Sequence, residues 1–234
     1  MATKRSKRYK KAAELIDKKK SYALKDAVQL LKKLPSGKSD ETVELSFNLG
    51  VDPRQSDQMV RGTVALPNGS GQKVRILVFA KGQAADAARN AGADYVGFED
   101  LIKKINEGFQ DFDVAVATPE AMIEVRKLGK VLGPRGLMPN PKTGTVTEDT
   151  AKAVQECKAG RVEFKIDKTS NISVVCGKIS FDEAKLEQNV AAVLQAVSRA
   201  KPSSSKGRYI QTCVLSSTYS PAISVDAESV AAAN

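Results

Sequence analysis

Along the first third of the chain, apolar positions recur first at helical and then at strand spacing. Tyr9, Ala12, Ala13 and Ile16 repeat with Lys and Arg between them, which predicts a helix within residues 1–20 behind a short basic tail. A second helix is predicted over 22–34, with Leu24, Ala27, Val28, Leu31 and Leu34 on its stripe. Lys32 and Lys33 suit the negative end of its dipole, and Pro35-Ser36-Gly37 stops it. Residues 42–49 then alternate, with Val43, Leu45, Phe47 and Leu49 on one face, as a half-buried strand requires. Asp52-Pro53 turns the chain, and 60–66 reads as another strand. Pro67-Asn68-Gly69-Ser70-Gly71 is the strongest turn or hinge signal in the sequence.

The texture then changes. Residues 74–80 form an apolar strand interrupted by Arg75, and 83–91 an alanine-rich helix. Tyr95-Val96 is a short strand, 100–107 a helix, 114–117 a strand and 119–128 a helix. This alternation argues for a small parallel sheet with helices packed on it. Residues 129–144 are dense in Gly and Pro, and 147–158 return to helix. After Ala159-Gly160 the strand pattern resumes, with Val162, Phe164 and Ile166 on one side and Glu163, Lys165 and Asp167 on the other. Residues 168–171 turn, and 172–179 are the next strand. Ser180 and Glu183 read as a capping box for a long helix carrying Leu186, Val190, Val193, Leu194 and Val197 and ending before Pro202. A last strand is expected over 209–215, and the Ser- and Ala-rich residues 216–234 are expected to fray at the end. The fold class expected is therefore α/β and α+β in two domains. Residues 1–67 and 160–234 make a split antiparallel-sheet α+β domain, and 68–159 an inserted Rossmann-like α/β domain, joined by two adjacent crossings that suit a hinge.

Composition narrows the function. The chain has 234 residues with 37 Lys+Arg, 27 Asp+Glu and no histidine, which excludes Ser-His-Asp and Cys-His catalysis and His-based metal motifs. Cys157, Cys176 and Cys213 include no CxxC pair and read as reduced thiols of a cytoplasmic protein. No apolar run approaches the roughly 20 residues of a membrane span, so no membrane-spanning segment is expected. The basic N-terminus contains Glu14 and Asp17 and is richer in Lys than Arg, unlike a transit peptide. The net charge of +10 is unevenly distributed. Residues 1–38 hold 13 basic residues against Glu14, Asp17 and Asp26, while 39–234 hold 24 of each sign. Such an imbalance points to a nucleic-acid or acidic-membrane partner.

Candidate chemistry follows from that imbalance. Gly136-Leu137-Met138-Pro139-Asn140-Pro141-Lys142-Thr143 approaches a phosphate-binding P-loop, but Pro141 stands where the second glycine belongs, and Pro has no N–H to offer a phosphate. The glycine signature of dinucleotide binding is absent as well. Neither an enzyme activity nor a cofactor is expected. For RNA, the candidate contacts are Lys38 and Arg54 flanking the first strand, Lys165, Asp167 and Lys168 at the end of a later one, and Thr218, Tyr219 and Ser220 after the last. Such groups can reach phosphates, 2′-hydroxyls and base edges.

The segment Leu128-Gly129-Lys130-Val131-Leu132-Gly133-Pro134-Arg135-Gly136-Leu137-Met138-Pro139-Asn140-Pro141-Lys142 closely resembles the signature of the bacterial ribosomal protein L-1 family of the large subunit. Asp40-Glu41-Thr42-Val43-Glu44, Leu49-Gly50-Val51-Asp52-Pro53-Arg54, Val60-Arg61-Gly62-Thr63-Val64 and Gly160-Arg161-Val162-Glu163-Phe164 are similar to that family too, and the likeness covers roughly residues 5–222. The resemblance implies a ribosomal, cytoplasmic, non-enzymatic protein whose split domain grips the mobile stalk of large-subunit ribosomal RNA, beside the exit path of deacylated tRNA. It also implies a repressor that binds its own messenger RNA. Family contact positions fall on Lys38, Lys165, Asp167, Lys168, Thr218 and the residues just after it. The chain departs from the family's usual pattern in two places: Ser39 replaces Phe, and Tyr219-Ser220 replaces Met-Gly. The expectation is that Tyr219 supplies the aromatic that Ser39 removes. The Gly-Pro segment has two readings, a shaping role in the inserted domain or a direct contact of Arg135 or Lys142 with RNA or tRNA. If the basic tail supplies attraction and the neutral remainder recognition, deleting the tail flattens the salt slope and preserves discrimination.

Overall fold

The structure, a computed structural model, describes residues 5–17, 19–35 and 37–226. It is a mixed α/β protein with three sheets among the described residues. The chain divides into two compact units, one running up to Gly71 and resuming at Val162, the other spanning Gln72–Arg161.

In the first unit, β1 (Thr42–Leu49) is an inner strand of a four-stranded sheet in the order β7-β1-β8-β9, where β7 is Asn171–Lys178, β8 Ile210–Ser217 and β9 Ile223–Ser224. All its ladders are antiparallel. The alternation seen in the sequence sends Val43, Leu45, Phe47 and Leu49 inward. There they join Leu24, Ala27, Val28 and Leu31 of α2 (Leu24–Lys33) and Leu186, Val190, Val193, Leu194 and Val197 of α8 (Glu183–Arg199) in one core. Ala12 of α1 (Lys7–Glu14) belongs to the same core, as does Ile16 just beyond the helix. β2 (Arg61–Ala65) and β6 (Arg161–Lys165) form a separate two-stranded sheet. Gly62 is required there, because a Cβ at that position would lie 2.7 Å from Cζ of Phe164.

The second unit is built on a parallel sheet in the order β4-β3-β5, with β3 Ile76–Phe79, β4 Tyr95–Gly97 and β5 Val114–Ala117. Successive residues of β3 enter opposite cores. Ile76 and Val78 pack with Ala85 and Ala88 of α3 (Gly82–Asn90) and Ala153, Val154 and Cys157 of α7 (Thr150–Lys158). Leu77 and Phe79 pack with Leu101 and Ile105 of α4 (Glu99–Asn106) and Val125 of α5 (Met122–Val125). This is why the strand reads as apolar throughout: it is covered on both faces.

Three local expectations change. The helix expected over 119–128 is α5 followed by a 3₁₀ turn (Arg126–Leu128) and then α6 (Gly129–Leu132), so helical backbone extends into the Gly-Pro segment. Ser180 does not cap α8. Its hydroxyl donates to Asp40 Oδ2 at 2.9 Å and its amide to Oδ1 at 3.2 Å, and Asp182 takes the N-cap position without a side-chain bond. A carboxylate with two oxygens free for one serine outcompetes a helix amide. Beyond the last strand expected, the chain adds a further short one, β9. The Tyr22 amide donates to Ser224 O, and the Asp226 amide to Tyr22 O, which fastens this segment to the sheet edge. Residues 227–234, the end expected to fray, lie outside the described residues.

Candidate nucleic-acid interface

The helices cover one face of the four-stranded sheet, and the other face is mostly polar, with Val175 and Val214 as apolar members. It presents Thr42, Glu44, Ser46 and Asn48 from β1, Asn171 and Ser173 from β7, and Thr212 and Ser216 from β8. The register couples them across strands. Ser46 Oγ lies 2.9 Å from Ser173 Oγ, and Asn48 Nδ2 donates to Asn171 Oδ1 at 2.8 Å. The candidate residues gather at the two ends of this face.

At the Thr42 end, a buried carboxylate organises three chain segments. Glu41 is 2% exposed. Its Oε1 accepts from the Gly37 amide at 2.6 Å and from Arg8 Nη1 at 3.3 Å. Its Oε2 accepts from the Ser217 hydroxyl and from the Tyr219 amide at 3.2 Å. Burial alone would raise this carboxyl's pKa. The Ser217 hydroxyl, the Gly37 and Tyr219 amides and the Arg8 charge outweigh it, and the pKa falls below the ordinary value. Thr218 is locked to β1 in both directions, its amide donating to Thr42 O and its Oγ1 accepting from the Thr42 amide, both at 3.1 Å. Ser220 closes the turn, its Oγ accepting from the Ser217 amide at 2.8 Å. Lys38 and Ser39 follow Gly37 in the adjoining loop, both exposed.

At the Leu49 end, Arg54, Lys165, Asp167 and Lys168 line one open cleft of about 770 Å³ with Pro53, Met59 and Ile166. Asp52 shapes one wall, its Oδ1 accepting from the Arg54 amide at 3.0 Å. Asp167 shapes the other. Its Oδ1 accepts from the Thr169 amide and the Asn171 amide, each at 2.8 Å, and the Thr169 hydroxyl bonds both oxygens at 2.9 Å. Those bonds, the Asn171 amide foremost, hold its carboxyl below the usual range. The turn allows Ser170 a positive φ of 65°, and the Ser170 hydroxyl donates to Val51 O at 2.8 Å. The carboxylate of Asp167 is therefore spent on its own turn, while Lys165 and Lys168 stand exposed.

Thus the structure joins Arg54 to Lys165, Asp167 and Lys168, and the Lys38-Ser39 loop to Thr218, Tyr219 and Ser220. It does not merge the two groups: the eight residues of β1 separate them by roughly 25 Å at strand rise. Sequence reasoning missed Glu41 and Arg8 as the groups that hold the Tyr219 turn. The available signal was a carboxylate immediately before an alternating strand, where a solvated position is the default.

The Gly-Pro segment is satisfied internally. Asn140 O accepts from the amides and hydroxyls of Thr143 and Thr145, and the Lys142 amide donates to Asn140 Oδ1 at 2.8 Å. These amides face the loop's own acceptors rather than an external anion, the opposite of a phosphate cradle. Among the described residues there is no cluster of His, Cys, Asp and Glu that could hold a metal ion, and no helix is long and apolar enough to cross a membrane.

Residues 31–221 match the model of the Ribosomal protein L1p/L10e family. Over 223 residues the chain is 58% identical to the large ribosomal subunit protein uL1 of Pseudarthrobacter chlorophenolicus, covering 95% of each chain. It is 55% identical to the protein of the same name from Thermobifida fusca, again over 95% of each. The corresponding protein of Protochlamydia amoebophila is 55% identical over 94% of each.

Proposed function

The chain belongs to the Ribosomal protein L1p/L10e family, is a ribosomal protein and not an enzyme, and from that premise we propose how it works. It is a structural constituent of the large ribosomal subunit, resident on cytoplasmic ribosomes. There it binds the mobile stalk of large-subunit ribosomal RNA near the tRNA exit site, with deacylated tRNA as a neighbour. It also binds its own messenger RNA and represses translation. The unit containing the four-stranded sheet is the split α+β RNA-binding domain, bounded near 1–67 and 160–234. The parallel-sheet unit, near 68–159, is an inserted Rossmann-like domain.

One observation carries this reading. A hydroxyl- and amide-rich sheet face runs between a basic cleft at one end and a fixed Thr218 turn at the other. Cations at the ends suit phosphates of a folded RNA, and hydroxyls between them suit its 2′-hydroxyls and base edges. Arg54, Lys165 and Lys168 are the phosphate contacts in this reading, together with Lys38 from the Thr42 end. Asp167 contributes by shaping the turn that presents Lys165 and Lys168. Ser39, Thr218, Tyr219 and Ser220 read the RNA at the Thr42 end.

Equilibrium binding of stalk RNA to the full chain at several salt concentrations tests the proposal. Replacing Lys165 and Lys168 together with Ala should weaken binding and lower the log–log salt slope by about 0.9 for each phosphate no longer neutralised. Equal affinity for stalk RNA and an unrelated hairpin of the same length would refute it. A reporter fused to the protein's own messenger leader tests repression separately, by loss of output when the protein is supplied.

A further inference from the structure

Tyr219 is a large aromatic side chain that remains 51% exposed on a hydrogen-bonded turn. Its amide is tied to Glu41, the Thr218 amide to Thr42 O, and the Ser220 amide to Ser217 O at 3.1 Å. The ring has two close neighbours. Gly37 packs against its edge, since a Cβ there would sit 3.4 Å from Tyr219 Cδ2. The Arg8 guanidinium carbon lies 5.2 Å from the ring centroid, within cation–π range. Arg8 is itself fixed through Nη1 to the buried Glu41 carboxylate. Among the described residues of the basic segment 5–38, it is the one cation ion-paired to a carboxylate. Arg5 and Lys20 lie over the rings of Tyr9 and Tyr22 within their own segment, whereas Arg8 reaches across to the Tyr219 turn.

A half-open aromatic ring, held still and backed by a cation, is a pre-organised surface for a planar π system. The ordering cost is met in the free protein, because Glu41 already fixes both the turn and the guanidinium. We propose that Tyr219 and Arg8 form a stacking platform for one unpaired nucleobase of the bound RNA, with Arg8 a positioning residue that acts through the ring. This rests on the RNA-binding reading above and gives its Thr42 end a specific ligand. It also gives one residue of the basic segment a part in recognition, separate from bulk attraction.

The test is a double-mutant cycle, Arg8→Ala and Tyr219→Ala, read as affinity of the full chain for stalk RNA. Tyr219→Phe, Arg8→Lys and Lys10→Ala serve as controls, with far-UV circular dichroism and thermal melts on each. Tyr219→Ala should weaken binding roughly 5- to 150-fold, the range of one lost base–aromatic stack. Tyr219→Phe should restore most of the affinity that Tyr219→Ala loses, because the stacking face is retained. Arg8→Ala should cost about 2- to 5-fold more in the parent than in the Tyr219→Ala background, the size of a surface cation–π coupling. Lys10→Ala should cost the same in both backgrounds. An abasic substitution at a single unpaired position should abolish the difference between the parent and Tyr219→Ala. Equal losses from Arg8→Ala in both backgrounds would make Arg8 an ordinary phosphate counter-charge and overturn the proposal, as would parental affinity in Tyr219→Ala. Arg8→Lys keeps a cation beside Glu41, so a folding defect confined to Arg8→Ala leaves the cycle readable through the lysine variant. Failure of the parent protein to prefer stalk RNA over a hairpin would bring down the RNA reading itself. Preference without coupling would bring down this inference alone.

Discussion

Replacing Asn189 should release the chain segment through which the first unit gives way to the second. Asn189 lies on α8 and is 0% exposed. Its Nδ2 donates to Cys176 O at 2.7 Å and to Gly69 O at 2.9 Å, and its Oδ1 accepts from the Asn68 amide at 3.1 Å. The Cys176 carbonyl is available because β1 and β7 slip register there, with Val43 opposite Gly177 and Glu44 opposite Val175. One amide side chain thus fastens a bulge, a helix and the 68–69 turn. In Asn189→Leu, which is close in volume, three backbone groups lose their partner. Leaving a buried polar group unsatisfied costs about 1–3 kcal/mol. Cys176 O bears this in full, being buried, while Asn68 and Gly69 are half-exposed and water relieves part of theirs. Burying leucine atoms returns about 1.5 kcal/mol. The net expectation is about 2–4 kcal/mol of lost stability in the first unit.

Asn189→Asp sharpens the test. A carboxylate there faces two carbonyl oxygens, so its folded pKa is raised above the unfolded value of about 3.9. Its protonated form can still donate to one carbonyl. The stability it retains is therefore present below about pH 3.9 and lost as pH rises through the raised folded pKa. Urea unfolding combined with native-state hydrogen exchange separates the two units. The Asn68 and Gly69 amides should exchange faster in both variants, while amides of β3 in the second unit stay unchanged. A loss below about 1 kcal/mol in Asn189→Leu, or an aspartate variant with no pH dependence beyond the parent's, would show that the hub carries little of the fold.

The remaining predictions concern other parts of the molecule. Glu41 has a depressed folded pKa, so its contribution is present above its ordinary value of 4.5 and lost as pH falls through the folded value; Glu41→Gln should remove that part of the acid sensitivity in a pH titration followed by tyrosine fluorescence. Burial pushes the Cys176 and Cys213 thiols up to about 12 and raises that of Cys157, so Ellman's reagent at pH 8 should label none of the three until the protein is denatured. Gly62→Ala should cost about 1–3 kcal/mol by forcing Phe164 aside, and pairing it with Phe164→Leu should recover part of that in urea melts. Deleting residues 1–20 should lower the salt slope of RNA binding and also reduce discrimination between stalk RNA and a hairpin, because Arg8 leaves with the tail.

The elements were legible because each has an unambiguous period. The alternation of β1, the stripe of α2 and the doubly buried β3 are properties of a few neighbouring residues. Errors arose where a residue had two possible partners. Ser180 has the spacing of a capping box, but Asp40, 140 positions earlier, offers it two oxygens. The site was half-legible for the same reason. Lys165 and Lys168 stand out as exposed cations on a polar strand end. Asp167 stands out equally, yet its oxygens are consumed by Thr169 and Asn171, which spacing does not reveal. Glu41 looks like a solvated residue at a strand start until Gly37, Ser217, Tyr219 and Arg8 converge on it from three parts of the chain. Long-range convergence on one carboxylate has no local signature.

This convergence alters how the charge excess is understood. Counting by segment divides the chain into a basic 1–38 and a neutral remainder, which invites a division of labour between attraction and recognition. Arg8 crosses that division. It belongs to the basic segment by position and to the Tyr219 turn by contact, held there by a buried acid of the neutral part. A carboxylate buried without its cation would be costly, and a cation held by that carboxylate cannot roam as a free counter-charge. The N-terminal helix is therefore part of the folded unit, with Ala12 and the following Ile16 in the same core as the sheet. On the reading proposed above, its lysines raise the encounter rate with a polyanion, while Arg8 backs the ring on which a base would stack.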